Sequence, residues 1–411
     1  MRGQSGEEDA PMTRRWVIGL AAGSSGCTLH AVLAELEGVG LELRPVQRFA
    51  TQQPYAPELR EHIRRVTAQP VDVRAVGRLH RLMGETLAAA ARAVADSAGV
   101  PLARVLLIGC PGLTVGHDPE GRFPSALPLG MASVLAERTG VTVVSDLSAR
   151  DVAAGGQGTP MTALPDYLLF RDPGQTRLML HLGGMVRLVW LPAGGKVSDI
   201  VGFEVGPCGV LLDALIRHLT SNKEQYDSGG RHAVQGKCVE VLLDAWLAHP
   251  LLQRRPPRGL PRHGFADEFA KQAVEQARRA GAGLHDLLCT ATHFVVRTLA
   301  DAVLRYVPTR PKIDQILLTG GGVRNGLLWR LLAAHWGEVP LLRTDEAGIP
   351  AEFRQALSTA LLAALTLDGV PGNVPAATGA AGSRLLGSLT PGASANWARC
   401  VQWMAQHTAI G

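Results

Sequence analysis

From its residues alone, this chain should fold as an α/β protein of two lobes with similar plan, each built on a mostly parallel sheet flanked by helices. Three features lead there. The chain has 411 residues, more than one typical core accommodates. Short apolar runs alternate with helical stretches, the strand–helix–strand rhythm of parallel sheets. An opening of strand, glycine turn and strand also occurs twice, at residues 16–36 and 178–191.

The N-terminal residues 1–13 are polar and read as a disordered tail. Arg14-Arg15 before an apolar run faintly resembles an export signal, but the run is short and flows into glycine and serine, so a first strand is expected at 16–20. The turn Gly23-Ser24-Ser25-Gly26 follows, then strands at 30–36 and 41–49 in an antiparallel meander. Residues 73–98, rich in Ala, Leu and Arg, predict a helix that Gly99 and Pro101 terminate. A strand at 104–109 and a helix at 131–139 close the first lobe, expected over 14–140.

A strand at 141–145 opens the second lobe, expected over 141–392 and carrying the nucleotide site. Strands at 178–182 and 186–191 flank Gly183-Gly184; a third at 200–203 leads to a helix at 210–219. Residues 253–264 form a long basic loop, able to fold over an anionic ligand. Residues 265–306 are helical with a break at Gly281 and Gly283, and Leu288, Ala291, Val295, Leu299 and Ala302 share one buried stripe. A strand at 316–319 runs into Gly320-Gly321-Gly322, and a helix starts near Asn325. In the C-terminal extension, 393–411, an amphipathic stretch at 397–404 packs on its own chain or on a partner, which leaves a homodimer open.

Composition excludes several function classes. Hydrophobic content of 46% and charged content of 19% describe a well-buried soluble protein, and 47 glycines imply many tight turns. The net charge of +5 rests on arginine, since the lysines are only Lys196, Lys223, Lys237, Lys271 and Lys312. Without a dense basic run interleaved with aromatics, nucleic acid is not an expected partner. The cysteines Cys27, Cys110, Cys208, Cys238, Cys289 and Cys400 are scattered with no Cys-x-x-Cys pair, against a disulfide framework or zinc site and in keeping with a reducing cytoplasm. The apolar stretches fall short of a membrane span, so no membrane is expected.

Chemistry concentrates in two places. Asp151-Val152-Ala153-Ala154-Gly155-Gly156-Gln157-Gly158-Thr159-Pro160 places a carboxylate before a glycine-rich loop, just after a strand and a second acid, Asp146. A base beside backbone that a ligand can approach closely suits acid–base work on a sugar or anion. Gly320-Gly321-Gly322, between a strand and a helix, lets a flat or phosphorylated ligand rest on bare peptide. Together they point to a nucleotide-dependent enzyme.

These segments resemble the anhydro-N-acetylmuramic acid kinases over about residues 15–392. The match is most specific at Asp151–Pro160. It continues through Gly320–Asn325, Thr344-Asp345 with Gly348-Ile349-Pro350, and Asn373-Val374-Pro375 with Thr378-Gly379-Ala380; Arg78–Leu87 adds a weaker match. The resemblance implies the two-lobed actin-like ATPase and sugar-kinase (ribonuclease H-like) fold with an interlobe cleft. It implies ATP and Mg²⁺ as cofactors and an amino sugar as substrate: water attacks C1 of a 1,6-anhydro sugar, the bridge opens, and O6 takes the γ-phosphate. Carried over residue by residue, it makes Asp151 the base that deprotonates that water. Gly23, Ser24, Ser25, Gly183, Gly184, Gly206, Gly320, Gly321, Gly322 and Asn325 become nucleotide or phosphate contacts. Thr114, Arg150 and Gln355 become sugar contacts, and Asp146 and Glu204 are placed near the metal.

The chain also departs from the family's pattern. Cys27 stands where its first phosphate loop has an aspartate, and His30 where the next acid falls. A thiol, mostly protonated near neutral pH, is a poor oxygen-ligand substitute for Mg²⁺. Cys110-Pro111-Gly112-Leu113-Thr114 replaces Ser-His-Gly-Gln-Thr, and Pro128-Leu129-Gly130-Met131 replaces Gln-Ile-Gly-Asp. His181 and Arg187 replace asparagines, Glu204 an aspartate, Cys208-Gly209 a Gly-Asn pair, and Gln355 a glutamate. Glycines that shape backbone persist while side chains that touch metal and sugar change. The alternative reading is therefore a catalytically degenerate member that binds sugar or nucleotide as a regulatory module. A thiol-based activity at Cys27, Cys110 or Cys208 lacks a histidine–acid partner by spacing.

Overall fold

The computed structural model describes residues 14–22, 28–68, 70–119, 121–260 and 262–407. The expected N-terminal tail lies outside the described residues, as does the turn 23–27.

Two sheets and a hairpin organise the chain. β1 (Arg14–Ala22), β2 (Thr28–Glu37) and β3 (Arg44–Pro54) form the expected antiparallel meander. β4 (Val105–Cys110) then joins β1 in parallel. β5 (Leu113–Asp118) and β6 (Ser125–Leu129) make a separate hairpin. β7 (Thr142–Ser145) lies parallel to β4. In the second sheet, β8 (Arg177–Leu182), β9 (Met185–Leu191) and β10 (Val201–Pro207) repeat the meander. β11 (Gln315–Thr319) pairs in parallel with β8, and β12 (Leu341–Arg343) with β11. β13 (Ser388–Thr390) returns to the edge of the first sheet.

The orders β13-β7-β4-β1-β2-β3 and β10-β9-β8-β11-β12 share one plan: third, second, first, fourth, fifth. This is the doubled actin-like ATPase and sugar-kinase fold. The sheets are mixed rather than mostly parallel, because short turns such as Gly183-Gly184 can join only antiparallel neighbours.

Side-chain alternation sorts the strands into three cores. On β1, Trp16, Ile18 and Leu20 enter a core with Leu79, Met83 and Leu87 of the helix Val73–Ser97. Val17 and Ala21 enter a central core that also takes Met179, Val189, Leu191 and Leu317 from the second sheet. The outer face of the second sheet, Leu178, Leu180, Ile316 and Leu318, packs with the helices Gly209–Leu219, Asp267–Arg279, Leu284–Tyr306 and Gly326–Trp336. The expected stripe from Leu288 to Ala302 is buried there, and Gly281, at φ +69°, marks the break before it. Leu284–Tyr306 is long and apolar enough to cross a membrane by composition alone, yet it is largely buried in this core.

The central core closes around one steric feature. Gly19 and Gly109 sit opposite each other on β1 and β4. A Cβ on Gly19 would lie 1.9 Å from the Ala356 carbonyl oxygen, and one on Gly109 2.4 Å from that of Thr359. The helix Arg354–Leu367 therefore rests on bare strand backbone. Together with β7 and β13 it belongs with the first sheet, although all three follow the expected boundary at 140/141. The chain leaves the first sheet after β7 and returns near its end, and short apolar strands carry no mark of their partners.

The C-terminal helix Ser394–His407 packs on its own chain. Asn396 Oδ1 accepts from Thr142 N–H at 2.7 Å and the Thr142 hydroxyl at 2.6 Å; its amide donates to the Val105 and Leu106 carbonyls at 3.0 and 3.2 Å. The Arg15 guanidinium lies 4.0 Å above the Trp403 ring and bonds Asp368 at 2.7 Å. Asp368 also accepts from Gly40 N–H and Trp403 Nε1, each at 2.8 Å.

The glycine slot gives a direct stability test. Gly19→Ala should cost about 3 kcal/mol in denaturant unfolding, because the helix must move off the sheet. Gly77→Ala, exposed on the helix Val73–Ser97 with open space around it, should stabilise by about 1 kcal/mol. A second test concerns Asp213 on the helix Gly209–Leu219, whose carboxyl is pushed up to about 6 by burial, against the pull of Arg217. A raised folded-state pKa favours folding fully below the ordinary value of 3.8, and that contribution is lost as pH rises through about 6. Asp213→Asn should therefore raise the unfolding midpoint at about pH 8 far more than at about pH 4.5, and equal shifts would contradict the assignment.

Candidate active site

The second sheet aligns one row of residues just before its glycine turns. Thr319 on β11 pairs with His181 on β8, His181 with Arg187 on β9, and Arg187 with Glu204 on β10. Gly183-Gly184 and Gly320–Gly322 follow that row at the ends of β8 and β11, and Gly206 lies inside β10 just beyond Glu204. The turns thus gather at the carboxyl ends of β8 and β11, where open α/β sheets take ligands.

The glycines in these turns do different things. Gly320, at φ +88°, would bring a Cβ to 2.7 Å from the Leu182 carbonyl oxygen, and a Cβ on Gly322 would meet the Leu182 Cβ at 2.7 Å. Those two are needed for packing. Gly321 has nothing within 4 Å of such an atom and is exposed, so a ligand can reach its peptide. Gly206 is buried, 2.9 Å from Thr298 Cγ2 by the same measure, and also serves packing. The Gly183 and Gly184 carbonyls accept from the N–H groups of Cys208, Gly209 and Val210 at 2.9–3.0 Å, anchoring the helix Gly209–Leu219 on the β8–β9 turn. Asn325, expected to contact nucleotide, caps the helix Gly326–Trp336: its Oδ1 accepts from Leu327 and Leu328 N–H, both at 3.1 Å.

On the first sheet, Gly23, Ser24, Ser25 and Cys27 lie outside the described residues, while their flanks are fixed by the pairs Ala21↔His30 and Ala22↔Leu29. The His30 ring lies 5.7 Å from that of Phe353, and burial together with the Arg324 charge holds its pKa below the ordinary value. Arg324, the residue before Asn325, also pairs with Glu352. β2 and the Gly320–Arg324 turn thus lie close enough for the Arg324 charge to act on His30.

Asp151 sits on the short helix Ala149–Ala153 and is fully buried. Its Oδ1 accepts from Asn373 Nδ2 and the Thr378 hydroxyl, both at 2.7 Å, and its Oδ2 from Gly158 N–H at 2.8 Å. The loop beyond it is fastened at three further points. Gln157 N–H donates to the Thr378 carbonyl at 2.7 Å, His117 Nε2 on the β5–β6 hairpin bonds the Gln157 carbonyl at 2.8 Å, and Gly259 N–H donates to Gln157 Oε1 at 3.0 Å.

The remaining expected residues divide. Thr114 and Arg150 are exposed, and Gln355 is half-buried at the start of the helix Arg354–Leu367. Asp146 follows β7 at φ +53°, with the Ser145 hydroxyl 3.4 Å from its Oδ2. Glu204 is engaged by protein donors: Arg187 Nε at 3.1 Å, the Thr159 hydroxyl at 3.3 Å and Leu260 N–H at 2.9 Å. Among the described residues no three His, Cys, Asp or Glu side chains gather as metal ligands, so Asp146 and Glu204 are not brought into one metal centre. Burial pushes the Cys110 and Cys208 thiols up to about 12, leaving both protonated and poor nucleophiles at neutral pH.

Asn373, Thr378, Gln157, His117 and Arg187 went unassigned by sequence reasoning. Asn373, Thr378 and Gln157 lie inside segments already matched to the family, which was a usable signal. His117 had none, since only folding brings the hairpin to the Asp151 loop.

A family model described as anhydro-N-acetylmuramic acid kinase matches residues 15–392. Three proteins named anhydro-N-acetylmuramic acid kinase are similar. That of Gloeobacter violaceus is 34% identical, covering 91% of this chain and 98% of its own. That of Salinibacter ruber is 35% identical, covering 92% and 96%. That of Acaryochloris marina is 33% identical, covering 91% and 99%. Nothing in these comparisons favours the alternative of a degenerate binding module. This chain belongs to the anhydro-N-acetylmuramic acid kinase family.

Proposed function

We propose how this chain divides the work of an ATP-dependent anhydro-N-acetylmuramic acid kinase among its residues. Asp151 is the base. Oδ1 accepts two hydrogen bonds and Oδ2 one, so Oδ2 keeps an acceptor position for the proton of the attacking water. As water adds to C1, the 1,6-anhydro bridge opens and its oxygen departs as O6. O6 then attacks the γ-phosphate, and the bond from that phosphorus to the β–γ bridging oxygen breaks. Asn373, Thr378 and Gly158 hold the carboxylate in place while this happens, the positioning on which such a step depends.

ATP fits the second-lobe turns: the exposed Gly321 peptide offers bare backbone, and the Gly183-Gly184 turn sits beside it against Leu182. Among the described residues no carboxylate cage for Mg²⁺ gathers, which favours an ion held by the triphosphate and water. Because Asp151 is fully buried, substrate entry requires the 155–160 loop, the β5–β6 hairpin or the 257–260 loop to part from it. Thr114 on that hairpin, Arg150 beside Asp151 and Gln355 on the helix Arg354–Leu367 are the proposed sugar contacts. The scattered free cysteines suit a cytoplasmic enzyme.

The observation that carries this reading is the buried carboxylate oriented by three donors at the start of the glycine loop. Asp151→Asn should lower kcat by about 10³-fold while ATP affinity, by calorimetry, stays within about threefold. A melting curve checks that the variant folds. Unchanged turnover would remove Asp151 from the mechanism.

A further inference from the structure

We propose that the Arg187–Glu204 ion pair is a positioning device for Asp151, cross-linking the glycine loop that follows the base to the 257–260 loop. The inference rests on Asp151 being the base. Arg187 and Glu204 stand opposite each other on β9 and β10, with Nε–Oε1 at 3.1 Å. The Glu204 side chain is 6% exposed and that of Arg187 25%. Such a carboxylate needs a countercharge, and Arg187 supplies it.

Both oxygens of Glu204 hold loop residues. Oε1 takes the Thr159 hydroxyl, next to Gly158, whose N–H holds Asp151. Oε2 takes Leu260 N–H at 2.9 Å, next to Gly259, whose N–H holds Gln157. Two parallel bridges therefore join the loops. The second loop is itself locked onto β10 by Arg258, which is 1% exposed. Arg258 Nε donates to the Glu204 carbonyl and Nη2 to that of Val205, both at 3.0 Å; Nη1 donates to the Leu252 carbonyl at 2.8 Å and also bonds that of Arg254. The Arg258 carbonyl accepts from Glu204 N–H at 3.2 Å. On the far side, β10 touches the Asp151 neighbourhood again: a Cβ on Gly202 would lie 3.1 Å from Ala377 Cβ and 3.5 Å from Pro160 Cγ. Displacing the cross-link moves the backbone that carries Gly158, and with it the direction of the Asp151 carboxylate.

The test uses the full chain and two readouts: steady-state kinetics, and amide hydrogen exchange over 155–160 and 257–260. Arg187→Met should lower kcat by about 10²-fold with KM for ATP within about twofold, because a small misplacement of the base suffices. Exchange in both loops should rise at least about tenfold. Glu204→Gln, which keeps the acceptor and the shape, should show smaller changes in the same direction, and it stands in if Arg187→Met fails to fold. Unchanged loop exchange in Arg187→Met and Glu204→Gln would overturn the proposal, as would exchange that rises without any fall in kcat. Loosened loops and lowered kcat, beside an Asp151→Asn variant that still turns over, would keep the cross-link and reject the base.

Discussion

The helix Arg354–Leu367 lies directly on the backbone of Gly19 and Gly109, and the placement of both lobes follows from that contact. No side chain intervenes, so the helix axis is fixed to within a fraction of an ångström relative to β1 and β4. Its first residue reaches the other way. The Arg354 guanidinium forks onto both oxygens of Asp166 on the helix Ala163–Phe170 and bonds the Thr162 hydroxyl at 3.2 Å. Asp166 and Arg354 are almost wholly buried, a pairing that is tolerable only because charge meets charge with these hydrogen bonds made. The same helix thus rests on bare peptide of the first sheet and is tied at its start to the helix Ala163–Phe170, which packs on β9 of the second. The same stretch carries Phe353, whose ring lies against that of His30 on β2, and half-buried Gln355.

Within the cleft, backbone and side chains tell different stories. The turn glycines at 320 and 322 are fixed by packing, since each touches Leu182 too closely for any other residue. The side chains have changed, yet two of the changes answer each other. Arg187 and Glu204, standing where the resemblance leads one to expect two shorter residues, meet across β9 and β10.

Much of this was legible beforehand. The doubled strand–turn–strand opening, the helix Val73–Ser97, the break at Gly281 and the stripe from Leu288 to Ala302 all follow from period and turn chemistry. The return of residues 354–390 to the first sheet was not, because the pairing of β13 with β7 spans more than two hundred residues and leaves no local trace. The β5–β6 hairpin escaped notice for a related reason: with one face half-buried and the other exposed, its apolar signal is weak. In the site, the position of Asp151 was readable and its partners were only half so. Asn373 and Thr378 belong to recognisable segments, but nothing local says that both turn toward one carboxylate oxygen. Asn325, placed at the ligand by its motif, has its side-chain oxygen engaged in capping a helix, a role its motif does not announce.

Everything proposed for the chemistry comes down to water, activated at Asp151, adding to the sugar at C1 while phosphate goes to the oxygen that leaves. A single turnover in heavy-oxygen water, with anhydro-N-acetylmuramic acid and ATP and the products read by mass spectrometry, tests that most directly. The account predicts one heavy oxygen on C1 of the phosphorylated sugar and none in its phosphate group. Heavy oxygen appearing only in free inorganic phosphate, with the anhydro bridge intact, would contradict it.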